Sequence, residues 1–122
     1  MPTVLVIDDE VHIIKIIEYK LRAAGHTVIS ARDGIEGVER AKVERPDLIL
    51  LDIMMPRMDG FQALEILKEN PETQAIPVLM LTVKGREGDR RRGLRMGVVE
   101  YLTKPFSPSE LLHRINAVLG IA

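Results

Sequence analysis

The sequence contains no cysteine, which removes disulfides, thiolate catalysis and zinc–thiolate centres together. Excess charge of one sign is missing too, with 17 basic side chains against 18 acidic ones and a net charge of −1. That balance gives no reason to expect nucleic acid or an anionic membrane as a direct partner. Aromatic residues make up only 3% of the chain, so few rings are available to stack on bases. The longest apolar runs have the length of strands, and the N-terminus lacks a basic segment followed by an apolar one. Neither a membrane span nor a secretory signal is therefore expected, and a cytoplasmic location follows by default. No Gly-rich phosphate loop follows the first apolar run, which argues against nucleotide binding. Internal repeats, linkers and low-complexity tracts are also absent.

What remains fits one domain spanning residues 1–122, with 46% hydrophobic residues for a core and 29% charged residues for a surface. Short apolar runs rich in Val, Ile and Leu occur at Thr3–Ile7, Thr27–Ser30, Asp47–Leu51, Ile76–Leu81 and Val98–Thr103. Strands apolar at every position suit a parallel sheet covered on both faces. Between them lie segments with helical spacing. Val11, Ile14, Ile17 and Leu21 mark the first, with Gly25 as its stop. Asp33 can cap the second, which carries Ile35, Val38 and Ala41 and ends before Pro46. The third runs from near Asp59 to Glu69 with Phe61, Leu64 and Leu67 inward. The fourth lies around Gly88–Met96. The fifth begins near Ser107, with Pro108 in its first turn and Leu111, Leu112, Ile115 and Val118 on its apolar face. Five strands alternating with five helices predict an α/β fold built on one doubly wound parallel sheet. In such sheets ligands bind outside the C-terminal ends of the strands.

The polar residues that interrupt the apolar runs fall at those ends. Asp8-Asp9 follow the first run, Asp52 the third, Thr82 the fourth and Lys104-Pro105 the fifth. Each has an ordinary explanation alone: Asp9 as a helix cap, Thr82 as a strand end, Lys104 as a solvated loop lysine. Together they gather three carboxylates, one hydroxyl and one ammonium on one edge of the sheet. Crowded carboxylates raise one another's pKa unless positive charge intervenes. Lys104 supplies part of it, and a hard divalent cation held by a few carboxylates and waters, Mg²⁺, would supply the rest. No His stands at ligand spacing, so a zinc or iron site is not expected. Phosphoryl transfer needs this inventory: a carboxylate nucleophile, and cations to neutralise the transferring oxygens. Asp52, ending the central strand, is the best nucleophile, and Asp8 and Asp9 would hold the metal.

These residues resemble the receiver domains of two-component response regulators. The match includes Val6-Ile7-Asp8-Asp9-Glu10, Leu51-Asp52-Ile53-Met54-Met55-Pro56 continuing through Met58-Asp59-Gly60, Leu81-Thr82, and Tyr101-Leu102-Thr103-Lys104-Pro105-Phe106. The resemblance implies a flavodoxin-like receiver fold with strand order 2-1-3-4-5 and a cis bond between Lys104 and Pro105. It implies Mg²⁺ on Asp9, Asp52 and the main-chain carbonyl of Met54, with Asp8 acting mainly through water. Thr82 and Lys104 would contact the phosphoryl oxygens. Thr82 and the loop Val83-Lys84-Gly85 would transmit the change, with Tyr101 turning inward. The partners implied are a sensor histidine kinase or phosphotransfer protein, and a downstream protein or output domain on the face of the fourth helix, fifth strand and fifth helix.

Other features stand outside that pattern. The segment 86–95 is strongly basic, and reads either as a solvated helix face or as a patch for an acidic partner. Glu87 with Arg91, and Asp89 with Arg92, have spacings that allow helical pairing. Val83 is bulkier than the small residue usual after the threonine, and Met54 is a flexible apolar chain over the site. His12, His26 and His113 fit no motif and are read as surface residues. A phosphatase with an aspartyl nucleophile, of the haloacid-dehalogenase type, would carry a second Asp where Met54 stands. A pseudo-receiver that keeps only the fold is disfavoured because Asp8, Asp9, Asp52, Thr82 and Lys104 are all present. The chain's extent fits a stand-alone regulator and a receiver from a longer protein equally well.

Overall fold

The computed structural model describes residues 1–83 and 86–121, with Glu87 in its backbone alone. The expected loop Val83-Lys84-Gly85 and the expected Glu87–Arg91 pair therefore fall partly outside the described residues. The strands are β1 (Thr3–Ile7), β2 (Thr27–Ala31), β3 (Leu48–Asp52), β4 (Val78–Val83) and β5 (Glu100–Lys104). The helices are α1 (Val11–Ala23), α2 (Gly34–Glu44), α3 (Gly60–Glu69), α4 (Glu87–Arg95) and α5 (Pro108–Leu119). All strand pairs are parallel, in the order β2-β1-β3-β4-β5.

Alternation along each strand divides the interior into two layers. Leu5, Ile7, Ile49, Leu51 and Met80 face one side, where Val38 and Ala41 of α2 and Phe61, Leu64 and Leu67 of α3 complete a core. Val4, Val6, Leu48, Leu50, Leu79 and Leu81 face the other, against Ile14, Ile17 and Leu21 of α1 and Leu111 and Ile115 of α5. Every residue of β3 is buried, which is why this strand reads as an unbroken apolar run before its terminal aspartate.

Three strands, β3, β4 and β5, both begin and end later than their apolar runs suggest. Residues 76 and 77 precede β4, where Pro77 contributes its carbonyl to the Ile49 N–H but has no N–H for a ladder. Val98 donates its N–H to Gly93 and so closes α4 before β5 begins. Asp47 is not in β3; its carboxylate accepts the Thr3 N–H at 2.7 Å. The consequence is functional. Asp52, Thr82 and Lys104 are strand residues, fixed by sheet pairing with Leu81, Thr103 and Val83 respectively.

The helix caps follow the sequence at Asp33, Asp59 and Ser107, each accepting the backbone N–H three residues on. Three expectations need correction, and one alternative reading is removed. Asp9 does not cap α1: the N-cap is Glu10, whose side chain makes no capping bond. Ile35 is 55% exposed, since the close face of α2 is made by Gly34, Gly37, Val38 and Ala41. Gly37 is needed there because a Cβ would meet Ile7 at 2.5 Å. Asp89 pairs with Arg86 rather than Arg92, and the Arg92 guanidinium lies 4.2 Å from the ring centre of Phe61. His26 is buried, not a surface residue. Its Nε2 lies 2.9 Å from Oδ1 of Asn116 on α5, a partner that only the fold brings near.

Candidate functional site

The site forms at the C-terminal edge of the sheet, where β1, β3, β4 and β5 deliver polar residues to one place. Asp8 follows β1 and is wholly buried, while Asp52 at the end of β3 is 2% exposed. Asp8 Oδ1 accepts the Glu10 N–H at 2.9 Å, which turns the chain as it enters α1. On the other side of Asp52, α3 comes close because residue 60 is glycine. A Cβ there would stand 2.5 Å from the Asp52 carbonyl oxygen, closer than real contacts allow, so the approach of α3 to the site depends on Gly60.

Lys104 reaches across the sheet from β5. Its Nζ lies 2.9 Å from Asp8 Oδ2, 3.3 Å from Glu10 Oε1 and 3.4 Å from Asp52 Oδ1. The Lys104–Pro105 peptide bond is cis, as the resemblance implies. Burial pushes the Asp52 carboxyl up to about 7, the Asp8 charge adds to the shift, and Lys104 opposes it. Burial likewise works against the Lys104 ammonium, but its bonds to Asp8 and Glu10 and the charges of Asp52 and Asp8 outweigh that and hold its pKa up. Asp52 is thus a carboxylate short of positive charge.

The donor set shows what kind of charge would suit it. Asp8, Asp9, Glu10 and Asp52 each offer one oxygen, and these four oxygens lie within 4.8 Å of one another. An all-oxygen group of hard ligands fits Mg²⁺ and does not favour softer metals. On β4, one residue past the register partner of Asp52, the Thr82 hydroxyl is buried and has no hydrogen-bond partner among the described residues. A buried hydroxyl without a partner is costly, and one placed at the site is ready to donate to an oxygen arriving there. Residues and group therefore fit.

Residues 4–116 match the family model described as the response regulator receiver domain. The chain belongs to that family. It is a receiver domain of the two-component type, a signalling module and not a conventional enzyme. Its sequence is 43% identical over 116 residues to the alkaline phosphatase synthesis transcriptional regulatory protein PhoP of Bacillus subtilis, covering 95% of this chain and 48% of PhoP. It is 43% identical over 120 residues to the protein PilH of Pseudomonas aeruginosa, covering 98% of this chain and 99% of PilH. The solved chemotaxis protein CheY4 of Vibrio cholerae superposes with a TM-score of 0.91 at 33% identity, covering 97% of this chain and 98% of CheY4. The chain spans about half the length of several curated relatives it matches, PhoP among them. Receiver domains of this family work with histidine kinases and output domains. Among the described residues, no helix of this receiver is long and apolar enough to cross a membrane.

Of the candidate site residues, Asp8, Asp9, Asp52 and Lys104 come together at this edge, Thr82 stands near the end of the neighbouring β4, and Tyr101 lies to one side. Tyr101 is 8% exposed and packs in the core with Met80 and Val98. It already points inward, although β5 is an edge strand. Met54 stands at the rim, 49% exposed. Glu10 is the member sequence reasoning overlooked: it touches Lys104 and completes the oxygen group. Its signal was its place as third acid in Asp8-Asp9-Glu10.

Proposed function

We propose that this receiver, acting as one unit over residues 1–122, takes a phosphoryl group on Asp52 with Mg²⁺ as cofactor. The observation that carries the reading is Asp52 itself, buried beside Asp8, with one ammonium 3.4 Å away and an unpartnered Thr82 hydroxyl nearby. Asp9, Asp52 and the Met54 carbonyl would hold the metal, with Asp8 acting mainly through water and Glu10 at the edge of the group. The bound ion would supply positive charge to the transferring oxygens. Asp52 attacks phosphorus, Lys104 bonds one phosphoryl oxygen, and Thr82 donates its hydroxyl to another. The domain would then catalyse only its own phosphorylation and dephosphorylation.

The donor would be a sensor histidine kinase or phosphotransfer protein in the cytoplasm. The signal would leave through the α4–β5–α5 face to a downstream protein or output domain, with neither nucleic acid nor membrane as a direct partner. Thr82 links the two, because it lies on β4 beside Thr103 of β5, two residues after Tyr101. Exposed Leu94 and Val99, at 50% and 52%, give that face apolar surface for a partner.

Intact-mass analysis tests the reading. The chain should gain one phosphoryl mass on incubation with a small acyl phosphate and Mg²⁺, and should gain none with the metal chelated. No gain under either condition sinks the reading.

A further inference from the structure

A cavity of about 490 Å³ opens beside the phosphoacceptor, and its walls include Asp9 and Met54 from the site and Arg86, Asp89 and Arg92 from the α4 segment. Buried Phe61 forms part of its apolar surface. The charges on its walls are not equally available. Asp59 caps α3 through the Gln62 N–H, Asp9 belongs to the oxygen group, and Arg86 is neutralised by Asp89. Arg92 has no carboxylate within ion-pair distance among the described side chains. It rests instead over Phe61 at 4.2 Å. A contact through the face of the guanidinium holds its position while leaving the N–H donors on its edge for an anion.

We propose that this cavity takes the acyl half of a small acyl phosphate, and that Arg92 binds the carboxylate that leaves. The inference rests on the reading of Asp52 as phosphoacceptor. In the transfer, an Asp52 oxygen forms a bond to phosphorus while the bond from phosphorus to the acyl oxygen breaks. The electron pair of that bond stays on the acyl oxygen, which departs as a carboxylate and needs no proton. In-line displacement puts the leaving oxygen on the side of phosphorus away from Asp52. Asp52 lies at the bottom, 2% exposed, and Met54 at the rim, 49% exposed. The leaving group therefore emerges toward the rim that Asp9 and Met54 share with the cavity. The apolar wall covers its carbon atoms, and the guanidinium meets the charge as it develops, which lowers the barrier more than it strengthens donor binding.

The discriminating experiment compares two donors at fixed Mg²⁺: acetyl phosphate, whose leaving group is an anion, and phosphoramidate, whose leaving group is neutral ammonia. Arg92→Gln should slow phosphorylation by acetyl phosphate about tenfold and leave the phosphoramidate rate within about twofold of the parent. Arg91→Gln, the same charge change on the same helix but outside the cavity, should alter neither rate. Equal losses with both donors, or no loss with acetyl phosphate, would overturn the inference while leaving Asp52 as phosphoacceptor. If the parent chain takes phosphate from neither donor, the phosphoacceptor reading fails and the inference falls with it.

Discussion

Lys104 Nζ donates to Asp8 Oδ2 at 2.9 Å, although the two residues are 96 positions apart. The bond joins β5 to the end of β1 over the strands between them. Without a phosphoryl group, Lys104 is held by three carboxylates; with one, it gains a new anionic partner. Lys104→Ala should leave the nucleophile and the metal ligands in place, so phosphorylation persists at a reduced rate. The conformational response should shrink, because the contact that favours the active arrangement is gone. Amide shifts around Tyr101, compared before and after phosphorylation, measure this. A response of parental size in the variant would rule out the coupling role of Lys104.

Asp52→Asn tests the nucleophile and the electrostatics together. An amide is not a nucleophile for phosphoryl transfer, so the mass gain should vanish while the fold persists. Stability gives a second readout in metal-free protein. With its carboxyl pushed up to about 7 from 3.8, the folded state holds a proton on Asp52 across that window more tightly than the unfolded chain does. Stability due to this group therefore falls as pH rises from about 4 to about 7 and stays low above it. The Asn variant has no such loss. Its Tm advantage over the parent should grow by roughly 10 °C between pH 5 and pH 8 in the presence of chelator. A constant difference across that range would mean that Asp52 titrates normally.

Much of this site could be read from the chain because a parallel sheet writes its strands as apolar runs and ends them with polar residues. Asp52, Thr82 and Lys104 each terminate such a run, so their convergence followed from topology alone. What the sequence withheld depends on side-chain direction and distant partners. Glu10 is one of three consecutive acidic residues, and only the turn into α1, fixed by the Glu10 N–H to Asp8 bond, brings its carboxylate back to Lys104. His26 follows Gly25 and looks like part of an exposed turn, yet its partner Asn116 lies 90 residues away. Arg92 had an acidic neighbour at helical spacing, but Asp89 bonded Arg86 and the guanidinium settled on Phe61. In each case local spacing allowed several partners, and packing chose one.

Asp9 separates metal binding from helix capping, since it is not the N-cap of α1. Asp9→Ala should weaken Mg²⁺ binding at least about tenfold, and phosphorylation should fall in step at limiting Mg²⁺. An NMR titration of pocket amides with Mg²⁺ reads the affinity directly. Unchanged affinity would remove Asp9 from the ligand set and leave Asp8, Glu10 and Asp52 as the candidates.

The lifetime of the phosphorylated form depends on whether water can reach phosphorus in line. Two apolar side chains stand at the edges of the approach. Met54 is 49% exposed on the rim it shares with Asp9, and Val83 is 39% exposed beside Lys104 in the neighbouring groove. Val83 is β-branched and stiff, while Met54 can bend over an attached group. Neither carries an oxygen that could orient an attacking water, so both should slow hydrolysis by exclusion alone. Met54→Asn adds an amide that can hold the water, and Val83→Ala removes bulk, so each should shorten the lifetime. Their effects should add if the two side chains shield different edges of the approach. The measurement is first-order loss of phosphoryl mass after donor removal at fixed Mg²⁺. If both variants decay no faster than the parent, access to phosphorus is controlled by something other than these two side chains.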